Sequence, residues 1–222
     1  NPDVEVYCET LEENALLLYK EAQTSATIKG VEPSFTQLTR IDSLMIAGHF
    51  VLQDANFQYA TLGVGLASML GTGNSFIDPI TFYVPKRTAS INLAYPATSF
   101  KSASILITGT FGINQAEYDD NYVIVPLSFA RDLFEYTNEV TSVDIKLRDQ
   151  ADQTHVINTF KKILGPGFQV LSMTEQKAEL YRINRIEKWM TFLILSFILL
   201  IALFNIIGSL SMLILDKQKD AR

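Results

Sequence analysis

The sequence predicts an α+β protein: a two-part head, in which a β-α-β outer subdomain carries an inserted, mostly β subdomain, followed by one transmembrane helix. Three observations predict it. From Met190 to Leu215, twenty-six residues pass without a Lys, Arg, Asp, Glu or His, and at ~1.5 Å per residue a helix of that length outreaches a ~30 Å hydrocarbon layer. Residues 142–171 read as strand, helix, strand. Between them and the opening strands lies a loop-rich region of short β-type runs.

In chain order, the outer subdomain begins with residues 1–35, where Val4–Thr10, Asn14–Lys20 and Ala26–Val31 predict three strands separated by polar turns, closed by Glu32-Pro33. The insertion takes residues 36–139. It holds a short helix at Val64–Leu70 between Gly63 and Gly71, and strands near Ile80–Val84 and Ala103–Phe111. Tyr122–Val125 reads as a strand, and Pro126 then introduces a helix over Leu127–Tyr136 with Leu127, Ala130, Leu133 and Phe134 on one face. Residues 140–173 return to the outer subdomain. There Val143, Ile145 and Leu147 are expected inward and Asp144, Lys146 and Arg148 outward. A helix over Asp152–Leu164, with Val156, Phe160, Ile163 and Leu164 on one side, stops at Gly165-Pro166-Gly167, and Phe168–Leu171 is expected to return as a strand. Thr174 caps the next helix, and neither Pro nor Gly interrupts it before Gly208. A stalk (174–189), a membrane span (190–215) and a polar exit (216–222) therefore form one rod.

Charge divides along the chain. Residues 1–176 hold twenty acidic against eleven basic residues, and residues 177–222 four against seven. An acidic head argues against nucleic acid, which is held by Lys and Arg on phosphates. Cys8 is the only cysteine, so no internal disulfide forms, and its place in an extended run suits a buried thiol better than a reactive one. A first residue other than Met and an end soon after the span suggest a segment of a longer polytopic protein.

Enzymatic chemistry finds no anchor. His49 and His155 are the only histidines and neither has a ligand-type partner at helical spacing, so no metal site is expected. Gly63-Val64-Gly65 and Gly71-Thr72-Gly73 lack phosphate-loop or dinucleotide spacing, and no Gly-x-Ser-x-Gly elbow occurs. No cofactor and no catalytic residue is expected, and ATP hydrolysis would belong to a separate subunit. The acidic pairs Glu12-Glu13 and Asp119-Asp120 read as solvated turns.

Within the span, Asn205, Gly208, Ser209 and Met212 share a face on which small and polar side chains permit close helix packing. Arg182, Arg185, Lys188 and Trp189 sit where an interfacial anchor would, opposite the exit Asp216, Lys217, Gln218, Lys219 and Asp220. Basic residues nearly balance across the span and leave its orientation open.

The stretch Ser209–Asp220, ending in an Asp-Lys-Gln-x-Asp run, resembles the end of the second membrane helix in ABC transporter permeases of the lipoprotein-releasing type, within the wider FtsX-like and macrolide-exporter-like (MacB-like) group. Ile107-Thr108-Gly109-Thr110-Phe111 with an acidic turn and Val123–Leu127, and Ile28-Lys29-Gly30-Val31-Glu32-Pro33, agree with it. The resemblance implies a periplasmic domain on an inner-membrane helix, with Asp216–Asp220 starting the cytoplasmic coupling segment. It further implies a separate ATP-binding subunit, a second permease subunit in a homo- or heterodimer, and lipoprotein cargo handed to a periplasmic carrier protein. Export of peptides or small toxic molecules, or activation of a cell-wall hydrolase, is the alternative within the group, and a membrane-anchored periplasmic sensor or scaffold the alternative outside it.

Overall fold

The computed structural model describes residues 2–55, 57–73, 77–87 and 99–220, the side chains of 177–187 and 209–220 excepted. The chain divides into two compact units, Asn1–Ala151 and Asp152–Arg222.

The first unit is built on an eight-stranded sheet. Its longest strand, β1 (Val4–Tyr19), turns through Lys20, at φ 54°, into β2 (Ala22–Val31), with which it pairs from Thr10↔Val31 to Tyr19↔Ala22. Helix α1 (Phe35–Thr39) and a 3₁₀ turn lead to β3 (Met45–Gly48) and β4 (Tyr59–Gly63). Helix α2 (Val64–Leu70), β5 (Ile80–Pro85), β6 (Phe100–Phe111) and α3 (Ala116–Asp119) follow. Then come β7 (Tyr122–Pro126), α4 (Leu127–Phe134) and β8 (Ser142–Leu147). The succession β1-β2-β7-β4-β6-β5 returns to β1, so the pairings close into a ring, with β8 added to β1 and β3 to β6.

Closure explains the burial. Alternate side chains of each ring strand, among them Leu11, Leu17, Ile28, Leu62, Phe82, Ile107 and Val123, meet α2 and α4 in the main core. On the opposite face of β1, β2 and β7, Cys8, Val31, Phe35 and Ile124 gather in a second, smaller core. Helix α4 comes so close to β2 that a Cβ on Gly30 would overlap the Cβ of Ala130. Only a residue without a side chain fits there.

Several expectations are corrected. The two opening strands are one, because Leu11 is fully buried and Glu12 and Glu13 stay in register opposite Lys29 and Ile28 rather than turning. The sheet takes strands from both sides of residue 36. In β8 the alternation is reversed: Val143 and Ile145 are 48% and 41% exposed, while Asp144 turns toward Lys29. The register decides this, since Asp144 lies opposite buried Cys8 and Ile145 opposite exposed Tyr7.

The second unit has two helices. α5 (Gln153–Leu164) is capped by the Asp152 carboxylate, which accepts from the amides of Thr154 and His155. Of its expected apolar side Val156 is buried, whereas Ile163 and Leu164 are exposed. Gly165, at φ 74°, ends it. Phe168–Leu171 does not return as a strand: no strand pairs with it among the described residues, and an extended run becomes a strand only when a neighbouring edge accepts its backbone bonds. The β-α-β unit thus lacks its last element. Helix α6 (Met173–Asp220) then runs 48 residues without a break. Its cap is Ser172, not Thr174: the Ser172 hydroxyl accepts from the Glu175 amide at 3.2 Å and the Glu175 carboxylate accepts from the Ser172 amide at 2.7 Å. This reciprocal pair is a capping box.

Candidate functional site

Two places carry features beyond packing: helix α6 and a row of carboxylates on β1. Along α6, the segment Lys188–Gly208 is long and apolar enough to cross a membrane. Its side chains face outward all round: Trp189, Phe192, Ile198, Leu199 and Phe204 are each between 58% and 67% exposed. An apolar surface of that extent calls for an apolar counterpart, such as lipid or other helices. The Trp189 and Phe192 rings meet edge to face, centroids 6.1 Å apart.

Of the residues expected to form a packing face, Asn205 is exposed, and a Cβ on Gly208 would meet nothing within 4 Å, leaving room for another helix. Lys188 and Trp189 of the expected anchor are exposed as well. The side chains of Arg182, Arg185, Ser209, Met212, Asp216, Lys217, Gln218, Lys219 and Asp220 lie outside the described residues, although the backbone there is helical; Ala221 and Arg222 lie outside altogether.

The partners of the β1 carboxylates are not visible in the sequence. Each finds a partner: Glu5 with Lys146 at 2.9 Å, Glu9 with Arg131 at 2.9 Å, Glu12 with Lys29 at 2.7 Å, and Glu13 with the Tyr136 hydroxyl at 2.8 Å. Glu12-Glu13 is therefore not a solvated turn. Lys29 is the centre of this arrangement, since Asp144 approaches it at 3.5 Å and the Phe35 ring lies 5.8 Å below its ammonium. Burial would depress the Lys29 pKa, but the Glu12 and Asp144 carboxylates outweigh it and hold it above its ordinary value. Beside it the Tyr122 hydroxyl donates to Glu12 at 3.4 Å, and burial, then the Glu12 charge, push that phenol well up. Cross-strand spacing could have found the Glu12–Lys29 pair had the hairpin register been known.

Asp119 departs from its expectation too. It is buried at 8% exposure, and its carboxylate accepts from the amides of Ile113 and Gln115 at 2.9 and 3.1 Å, tying the end of β6 to α3. Cys8 is fully buried, which raises its thiol pKa, and His49 and His155 are both exposed. A groove of about 630 Å³ lies between the β2–α1 turn and α4, lined by Pro33, Phe50, Leu52, Leu127 and Arg131. The Arg131 Nε is buried there without a hydrogen-bond partner.

No family model matches the chain. By sequence it is 34% identical over 116 residues, 51% of its length, to the lipoprotein-releasing system transmembrane protein LolC of Buchnera aphidicola subsp. Schizaphis graminum. It is 28% identical over 163 residues, 72% of its length, to LolC of Neisseria meningitidis serogroup B. These matches span 28% and 37% of the two relatives, so the chain covers well under half the length of either. In fold it is similar to the periplasmic region of MacB from Actinobacillus actinomycetemcomitans, with TM-score 0.53, 11% identity, and 74% and 67% of the two chains covered. It is also similar to the extracellular domain of the noncanonic ABC-type transporter YknZ from Gram-positive bacteria, with TM-score 0.51, 13% identity, and 76% and 79% covered. Sequence and fold thus agree on one relationship: the chain is a relative of LolC with the extracytoplasmic domain fold of YknZ and MacB, and it resembles the permeases of the LolC, FtsX-like and MacB-like group.

Proposed function

We propose that the chain is the periplasmic domain and following membrane helix of an inner-membrane permease subunit that releases lipoproteins to a periplasmic carrier, driven by a separate ATP-binding subunit and working with a second permease subunit. The observation that carries this reading is the continuity of α6: one helix runs from its Ser172 cap through the apolar segment to Asp220. At ~1.5 Å per residue it is on the order of 70 Å long, enough to cross a bilayer and extend well beyond one side. A rod without a hinge passes displacement from one end to the other. In this reading Asn205, Gly208, Ser209 and Met212 pack against neighbouring membrane helices, Arg182, Arg185, Lys188 and Trp189 fix the outer interface, and Asp216–Asp220 lead into the ATPase contact.

Stiffness is the testable part. Ala178→Gly with Ile183→Gly in the full-length permease should weaken the stalk by up to about 1 kcal/mol at each site and lower lipoprotein release per ATP hydrolysed in reconstituted vesicles. Unchanged release at unchanged ATPase rate would refute the lever.

The resemblance of Ser209–Asp220 to the wider FtsX-like and MacB-like group leaves one second reading, an exporter of peptides or small toxic molecules. Vesicles loaded with each cargo class separate the two, because an exporter would leave lipoprotein in the bilayer.

A further inference from the structure

Strand β8 is attached unlike any strand of the ring. None of its side chains joins either buried core: Val143 and Ile145 are half-exposed on one face, and Ser142, Asp144 and Lys146 are polar on the other. It pairs with β1 alone. Besides that ladder, polar side-chain contacts hold it and the residue before it. The Thr10 hydroxyl donates to the Ser142 carbonyl at 3.2 Å, and the Glu12 amide donates to the Thr141 hydroxyl at 2.8 Å. The Ser142 and Thr10 hydroxyls lie 2.6 Å apart, the Thr141 hydroxyl donates to the Thr10 carbonyl at 3.2 Å, Lys146 pairs with Glu5, and Asp144 pairs with Lys29. The last contact differs in kind, because Lys29 belongs to β2 and reaches past β1 to β8. Glu12, opposite Lys29 in the hairpin, holds the ammonium in position at 2.7 Å.

We propose that β8 is a releasable strand latched by charge, with Lys29 as the catch and Asp144 as the keeper, so that β8 parts from β1 while the closed ring stays folded. Segments held by hydrogen bonds and ion pairs open at lower free energy than segments held by core burial. A buried-core strand such as β7 (Val123, Ile124 and Val125 all buried) has no such route. Lys29 also separates two carboxylates, and its loss would leave Glu12 and Asp144 facing each other across the gap. Along the chain β8 is the last strand before residue 152, so the latch governs whether the strand that leads into the helical unit is engaged with the sheet.

Amide hydrogen exchange on the full-length protein in lipid nanodiscs tests this independently of transport. In the unaltered protein residues 142–147 should exchange at least tenfold faster than β4, β6 and β7, and faster still in 1 M salt than in 0.05 M, as screening weakens the pair. Asp144→Asn should speed exchange in β8 alone and reduce its salt response, the remainder belonging to the Lys146–Glu5 pair. Lys29→Met should also speed exchange in β8, should add little to β8 exchange on top of Asp144→Asn, and should be reversed by Lys29→Arg. Exchange of β8 in step with β7 in every variant and salt concentration would overturn the latch. So would additive effects of Lys29→Met and Asp144→Asn, which would mean that the two side chains act separately. If Lys29→Met fails to fold, the part-exposed Asp144→Asn and the salt series carry the decision.

Discussion

The ring unit and the long helix use the same apolar residue types in opposite ways. In the ring Leu17, Ile28, Leu62 and Phe82 are fully hidden; in α6 Leu199, Ile198 and Phe204 are more than half exposed. The difference teaches that one chain carries two kinds of apolar surface, one that covers itself and one that needs apolar surroundings. A ring of strands satisfies its backbone bonds between neighbours and turns one face of each strand from water. A single helix satisfies its backbone within itself and can show apolar side chains on every side only where the surroundings are apolar too.

Four substitutions or conditions break or sharpen that contrast. The largest effect is expected in the ring: Phe82→Ala removes a fully buried ring that meets Phe129 edge to face at 5.6 Å and should cost about 3–5 kcal/mol, read as a lowered urea midpoint of the first unit with membrane insertion of α6 unaffected. The converse experiment places a charge on α6. Ile198→Lys should cost about 2.5–3.5 kcal/mol in a membrane-insertion assay if that residue lies mid-bilayer, yet close to nothing if α6 is solvated. A smaller change, about 1 kcal/mol, is expected for Ser172→Ala, which removes the hydroxyl that caps α6; faster exchange at residues 173–176, with the ring unchanged, is the readout.

The smallest effect near neutrality concerns alkaline pH. The folded Tyr122 keeps its proton above the ordinary tyrosine value of 10.0, because burial and then the Glu12 charge disfavour the phenolate. Stability should therefore fall as pH rises past 10, where the unfolded chain releases that proton and the fold does not. Lys29 has the same sign: its folded pKa is raised above 10.5, so its contribution is complete below that value and is lost as pH climbs through the folded pKa. Tyr122→Phe should flatten the decline between pH 10 and 11 in thermal melts, and an unaltered slope would remove Tyr122 from the account.

Local patterns were legible wherever one element decides itself. Val64–Leu70 is a helix between its two glycines as expected, Leu127–Phe134 follows Pro126, Asp152 and Gly165 bound α5, and α6 is unbroken. The capping box at Ser172 and Glu175 is legible as a spacing, although Thr174 competes with it as a cap residue. β3, β4 and α1 are not legible in the sequence, since four- and five-residue runs such as Met45–Gly48 carry too little periodicity to stand out from loop. At the candidate site the apolar segment was plain from composition, whereas the Lys29, Glu12 and Asp144 cluster was invisible, its members lying on three different strands.

The sequence alone determined the features that depend on neighbours a few residues away: the apolar length of α6, its freedom from breaks, the caps, and the acidic character of the head. Tertiary structure alone decided which carboxylates became partners, which face of β8 turned outward, that Leu11–Glu13 continues a strand, and that Phe168–Leu171 does not form one. The physical reason is that helix bonds close within four residues, whereas a strand's bonds, its burial and its charge pairs depend on residues far away in the chain, and nothing local names that partner.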